Sequence, residues 1–291
     1  MSSEPAVQPV DLGPACCLTI DVEEWYHTCL VPSLVDPELR PAGLTEELDA
    51  LLPDLLELLA RCGRRATFFV LGEVARRLPG RVRQIAEAGH EVASHSLWHL
   101  RVSERSAEQF RGDAAGSRRL LEDLIGRPVV GFRAPEWSFR FRSHPHLPLL
   151  DEAGYRWDSS LAPYLGAGRW SNPRDPHRLV WTGPEGERSL LEIPPFSWAG
   201  PLHLPAGSWT GRLARISWVE GAFRRALARG RLAVGVVHPW EITGRPTPGT
   251  LTGFAGFVHE TGREGYRERF EKLLSALPWT SIAEALTPTR G

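Results

Sequence analysis

The feature that most limits how this 291-residue chain can fold is an alternation of short apolar runs with amphipathic segments along most of its length. The run "CCLTI" reads as a buried strand, and "TEELDALLPDLLELLARC" repeats leucine at helical spacing between a Thr45 cap and a Gly63 terminator. "ATFFVLG" reads as the next strand. "GEVARRLPGRVRQIAEAG" is amphipathic but contains Pro79 and Gly80, which predicts two short helices, and "HEVASH" resumes as strand. A helix over 105–125, a strand in "PVVGFRAP" and a helix followed by a strand in "HLPLLDEAGYRWDSS" continue the series. A parallel pair of strands needs a crossover, so repeated units of this kind imply a parallel sheet, and their number favours a closed barrel over an open doubly wound sheet. Functional groups should then gather at the carboxyl ends of the strands.

The remaining segments are less periodic. Residues 1–13 are expected to form a flexible tail, rich in Pro, Ser and Glu, with one barrel domain over 14–291. Residues 160–210 are rich in Pro, Trp and Gly, which predicts short strands and long loops. A helix near 214–229, the strand "LAVGVVHPW", a loop to about 260, the helix "YRERFEKLLSAL" and a short strand in "WTSI" complete the reading. The net charge is −1, from 34 basic and 35 acidic residues, so no global field recruits nucleic acid or an anionic membrane. The four cysteines lack metal-ligand spacing and are expected to be reduced, buried thiols. No apolar run approaches the roughly 18 residues of a membrane span, and the first residues lack a basic segment followed by an apolar one. A cytoplasmic protein is the expectation.

The stretch "LTIDVEEWYH" sets a problem of charge. An apolar strand runs directly into Asp21, Glu23 and Glu24, and period-2 geometry places Asp21 and Glu23 on one face and Glu24 on the other. Such acids suit a helix cap or water, and they equally suit a cation on the shared face. The other strand ends also carry polar groups: "HSLWH", Arg133 in "GFRAPEW", Asp158 in "RWDSS" and His238 in "VVHPWE". His95 and His99 are four residues apart, so a helical turn would put both imidazoles on one side, a geometry that suits two ligands of one metal ion. Two histidines and a carboxylate leave an open position, the arrangement of hydrolytic sites in which bound water deprotonates near neutral pH.

Taken in order, "TIDVEEW", "TFFVLG", "HEVASHSLWH", "GFRAPEWS", "GYRWDSS" and "HPWE" resemble the motifs of the polysaccharide deacetylases, carbohydrate esterase family four, which share the NodB homology domain. The resemblance runs from about residue 16 across nearly the whole chain. The variants "DVEEWYH" and "HPWE" look most like a soluble subgroup associated with bacterial exopolysaccharide and exosortase gene clusters. The resemblance implies a distorted (β/α) barrel that removes N- or O-acetyl groups from sugars with a divalent metal. It implies His95 and His99 as metal ligands, Asp21 as base and Glu23 as the carboxylate ligand. Glu24 competes for that last role, because the family's commoner form has two adjacent aspartates and Val22 stands at the second position here.

By the same resemblance Arg133 orients the base, Asp158 is the acid of the fourth motif and His238 is the general acid. In that reading Asp21 takes a proton from water, a backbone N–H after Pro135 helps to hold the oxyanion, and His238, ion-paired with Asp158, protonates the leaving amine. Trp137 and Trp240, among eleven tryptophans, stand beside motif residues and can stack on sugar rings or pack the core. His27 and Glu241 fall in the same segments without an assigned role. Histidine ligands suit zinc, and cobalt, nickel or manganese are also compatible. The partner is an acetylated carbohydrate. Two alternatives share the fold: a metal-independent amidohydrolase of small ureides, and a sugar-binding relative that has lost catalysis.

Overall fold

The alternating pattern folds into one curled sheet wrapped by helices, in a computed structural model that describes residues 5–36, 38–41, 44, 46–139, 142, 144–164, 172–184, 186–197, 207–242 and 251–287. Its strands are β1 (Ala6–Pro9), β2 (Ala15–Val22), β3 (Thr67–Val70), β4 (Glu91–Ser94), β5 (Gly131–Phe132), β6 (Trp157–Asp158), β7 (His177–Gly183), β8 (Gly186–Glu192), β9 (Leu232–Val237) and β10 (Trp279–Thr280). β2 lies between β9 and β3, and β4, β5, β6 and β8 follow in parallel. β7 and β1 add antiparallel at the far edge, and β10 runs beside the start of β2. The barrel is distorted and partly open. Beyond β8, the N–H of Phe196 reaches the carbonyl of Val234 in β9 at 3.0 Å and brings the two ends of the curl together.

Alternation along β2 divides its residues between two cores. Cys16, Leu18, Ile20 and Val22 face the helices, where Leu48, Leu52, Leu55 and Leu59 of the helix Leu48–Arg61 pack. Cys17 faces the barrel interior with Phe69, Ala93, Trp157, Ile193 and Val234. Thr19 and Asp21 continue that inward row, so the period-2 rule delivers a carboxylate to the open end of the barrel. Trp157 fills the interior against Gly131, where any Cβ would lie 2.0 Å from the indole. Only glycine fits there.

Several segments differ from the sequence reading. The expected tail is ordered at Ala6–Pro9, because β7 offers an edge whose backbone groups pair with it from Ala6 to Pro9. The helix expected from Thr45, a residue outside the described ones, begins at Leu48 with Glu47 as its cap position. The loop expected up to residue 260 contains the helices Pro239–Ile242 and Gly253–Glu260. Within 160–210, the described part is dominated by the β7–β8 hairpin. The break at Pro79 falls as expected: Gly72–Arg77 and Pro79–Glu87 are separate helices, with Pro79 at the first position of the second. All four cysteines are free thiols.

Candidate active site

The acidic run after β2 splits its residues between two tasks. A turn follows Val22, with the Glu23 N–H 3.1 Å from the Asp21 carbonyl, and both side chains line a cavity of 190 Å³ at the barrel mouth. Glu24 points away. Its carboxylate accepts the N–H groups of Glu47 at 3.0 Å and Leu48 at 3.3 Å, and it pairs with Arg77. A cap and a candidate cation face fall on different residues, and both oxygens of Glu24 are engaged away from the cavity.

The two histidines do not sit on a helical turn. Residues 95–99 form a loop leaving β4, with Ser96 in the left-handed region at φ 75°. Asp113, on the helix Ala107–Ile125, holds this loop by accepting from Ser96 Oγ at 2.9 Å and from the Leu97 N–H. The Nδ1 of His95 is 2.9 Å from the Arg133 carbonyl. A carbonyl only accepts, so the proton is on Nδ1 and the Nε2 lone pair faces Glu23 at 3.4 Å. His99 Nε2 lies 2.7 Å from the same Glu23 oxygen, and its Nδ1 lies 3.8 Å from Cys29 Sγ.

One ligand atom from each of Glu23, His95 and His99 falls within 4.8 Å of the others, and all three residues are buried. Glu23 Oε2 makes no well-aligned hydrogen bond despite its two imidazole neighbours. A buried carboxylate oxygen facing two imidazole nitrogens, one with its tautomer set from behind, fits a divalent ion. Burial alone would raise the Glu23 pKa; His99, His95 and His238 hold it well below the usual carboxylate range.

Arg133 lies fully buried inside the barrel. It donates to Asp21 Oδ1 at 2.6 Å, Thr19 Oγ1 at 2.9 Å and Ser159 Oγ at 3.0 Å, with its guanidinium 4.0 Å from the centre of the Phe69 ring. One oxygen of Asp21 is thereby pinned. The other, Oδ2, lies 3.9 Å from His238 Nε2. His238 is 12% exposed, and its Nδ1 sits 2.9 Å from Glu241 Oε2, which only accepts. A proton on Nε2 therefore faces the cavity when the ring is charged. Burial opposes that charge, but the Glu241 carboxylate, followed by Glu23 and Asp21, raises the His238 pKa to about 9. Glu241 is itself braced by Arg212 Nε at 2.8 Å.

Asp158 is not the partner of His238. It faces Glu192 across the β6–β8 register, both fully buried. Burial raises Asp158 to about 6 and, with the charge of Asp158, raises Glu192 well above its ordinary value, so the pair holds a proton more readily than either carboxyl would in water. Ser160 Oγ joins Asp158 to the Ala134 N–H. The pair supports the loop before Pro135 from beneath. Ala134, Glu136, Trp137 and Trp240 line the cavity, and Pro135 is buried between the first two. Glu136 and Trp137 both have positive φ, at 55° and 48°.

The structure thus brings Asp21, Glu23, His95, His99, His238, Trp137 and Trp240 around one cavity, places Arg133 beneath it and sets Asp158 farther back. Sequence reasoning left Glu241 without a role, although its i,i+3 spacing from His238 was a usable signal. Arg212, Asp113 and Glu192 had no local signal, because long-range packing selects them.

Fold and site define a distorted (β/α) barrel with a two-histidine, one-carboxylate centre at the carboxyl ends of its strands. A family model described as polysaccharide deacetylase matches residues 45–156, and one described as a domain of unknown function matches 159–287. Over residues 45–156 the chain is thus similar to the polysaccharide deacetylase family. It is 34% identical over 124 residues to a peptidoglycan-N-acetylglucosamine deacetylase of Bacillus cereus, covering 42% of this chain and 54% of that protein. It is 30% identical over 145 residues to a chitooligosaccharide deacetylase of Azorhizobium caulinodans, covering 48% and 60%. The match therefore spans a little over half the length of each of these relatives. Among solved structures, one described as a polysaccharide deacetylase from Mycobacterium smegmatis has a TM-score of 0.62 at 24% identity, covering 100% of this chain and 99% of that one. The PuuE allantoinase has a TM-score of 0.60 at 16% identity, covering 94% and 88%. These structural likenesses show the fold.

Proposed function

We propose that this protein is a metal-dependent hydrolase that removes acetyl groups, chiefly N-acetyl groups, from a bacterial polysaccharide or its oligosaccharide precursor. The observation that carries the reading is the opposition of Asp21 and His238 across a cavity that also holds the Glu23, His95 and His99 donors. Glu23, His95 and His99 would hold a divalent ion, zinc or another metal that accepts imidazole and carboxylate, which when bound supplies Lewis acidity toward the acetyl carbonyl and a water. Asp21, with Oδ1 fixed by Arg133, takes the proton of the attacking water on Oδ2. Arg133 is a positioning residue. His238, charged at neutral pH and oriented by Glu241, gives its Nε2 proton to the leaving nitrogen, because an amine cannot depart as an anion. Trp137 offers an aromatic wall against which a sugar ring can stack, whereas Trp240 lines the cavity with its indole stacked by His238 and His259. A role in exopolysaccharide synthesis in the cytoplasm is part of this proposal, supported by the motif variants.

The test is acetate release from a panel of acetylated glycans, with and without chelator. Release that chelator abolishes and added zinc restores is expected. Release that is indifferent to chelator, or hydrolysis of a ureide with no acetate released from any of the glycans, would reject it.

A further inference from the structure

We propose that His259 recognises a neutral hydroxyl group of the acetylated sugar and so helps to determine specificity, an inference that rests on the deacetylase reading above. His259 lies on the helix Gly253–Glu260, outside every segment that supplies the acid, the base or the metal donors. It is buried and lines the same cavity as Asp21, Glu23 and His238. Its Nδ1 has no hydrogen-bond partner among the described residues. A buried ring nitrogen kept without a hydrogen-bond partner at the wall of a cavity is poised for a partner that arrives with the ligand.

The ring is held in place from two sides. It stacks on Trp240 with centroids 4.5 Å apart and planes 16° apart, and His238 stacks on the same indole at 5.3 Å and 23°. One aromatic plate therefore carries both the proposed acid and His259. Arg212 donates to the carbonyls of Val258, His259 at 3.0 Å and Thr261 at 2.9 Å, fastening the end of this helix with the same guanidinium that braces Glu241. A sugar whose nitrogen is offered to His238 is thus brought beside His259.

The chemistry favours a hydroxyl. Burial, with the charges of His238 and Arg212, lowers the His259 pKa to about 4, so the ring is neutral and offers one donor and one acceptor. A hydroxyl matches either. An anionic substituent would find no charge on His259 and would face the carboxylates of Asp21 and Glu23.

The test compares wild type with His259→Phe, which keeps a ring to stack on Trp240 but removes both nitrogens, and with His259→Asn, whose amide puts a polar atom near the Nδ1 position. The probes are tetra-N-acetylchitotetraose and 4-nitrophenyl acetate, which carries an acetyl group but no sugar. His259→Phe should lower the ratio of kcat/KM on the oligosaccharide to that on the aryl ester by roughly three- to tenfold, mainly through KM, with partial recovery in His259→Asn. Oligosaccharide binding, read by quenching of tryptophan fluorescence, should weaken by a similar factor. An unchanged ratio with unchanged binding overturns the inference, as does an equal loss on both probes. So does a wild-type protein that does not bind the oligosaccharide. Wild-type binding that weakens in His259→Phe without any release of acetate keeps the inference and removes the deacetylase reading.

Discussion

Which oxygen of Asp21 is free decides the division of labour at the residue scale. Arg133 occupies Oδ1, so Oδ2 is left for the water, and Asp21→Asn should lower turnover about 10²- to 10⁴-fold while the fold and most of the metal are kept. His238→Ala should discriminate between substrates, because an aryl oxide leaves without much protonation and an amine does not. Its kcat/KM should therefore fall much further on an acetylated amino sugar than on an aryl acetate, whereas Asp21→Asn impairs both. Equal losses for His238→Ala on the two substrates would remove it as the acid. The neighbouring carboxylates separate by a different measurement. Glu23→Ala should abolish metal retention in equilibrium dialysis, as should His95→Ala or His99→Ala. Glu24→Ala should retain metal and lower stability by about 1–2 kcal/mol, because it uncaps the helix at Leu48 and leaves Arg77 with Glu46 in place of two carboxylates. Metal loss from Glu24→Ala would contradict the geometry.

At the scale of elements, the β6–β8 pairing sets two buried carboxyls against each other and makes this part of the sheet sensitive to pH. Both Asp158 and Glu192 have folded-state pKa values raised above those of the unfolded chain. The folded state then binds more protons, so their contribution to stability is fully present below the unfolded carboxyl value near 4 and is lost as pH rises through about 6 and beyond. Glu192→Gln removes one titration and still offers an acceptor to the Leu161 N–H, which Glu192 Oε1 now meets at 2.9 Å. The variant should have a higher Tm than wild type at pH 8, with the gain shrinking toward pH 5. A difference in Tm that does not change between pH 5 and pH 8 would show that the pair does not hold a proton more readily than carboxyls in water.

For the whole molecule, the three donors join the end of β2 to the loop after β4, and β3 stands between those strands. A metal held there ties parts of the sheet that are distant in sequence, so binding should be visible as global stability. At a hundredfold excess over Kd the expected gain is about 2.7 kcal/mol, removed by chelator and absent in His99→Ala. Calorimetry of wild type and variant, with and without zinc, measures it. A Tm of wild type that ignores both zinc and chelator would argue against a folded-state metal site.

Much of this architecture is local in origin. Leucine spacing, Pro79 and the capping box of Ser106 with Gln109 specify helices through contacts within a few residues, and alternation along β2 sends Asp21 inward without reference to any partner. The candidate site was legible for the same reason: Asp21, Glu23, His95, His99, Arg133 and His238 each follow an apolar run that had to become a strand. Partner choice was not legible. Whether Glu23 or Glu24 faced the cavity depended on a turn after Val22 and on a helix start lying more than twenty positions away. Asp158 met Glu192 and His238 met Glu241 because the register of β6 on β8 and the short helix after β9 placed them there. Strand identity follows from the hydrophobicity of a segment considered alone, whereas the pairing of buried charges follows from which segments pack together, and only the folded chain brings those segments within reach.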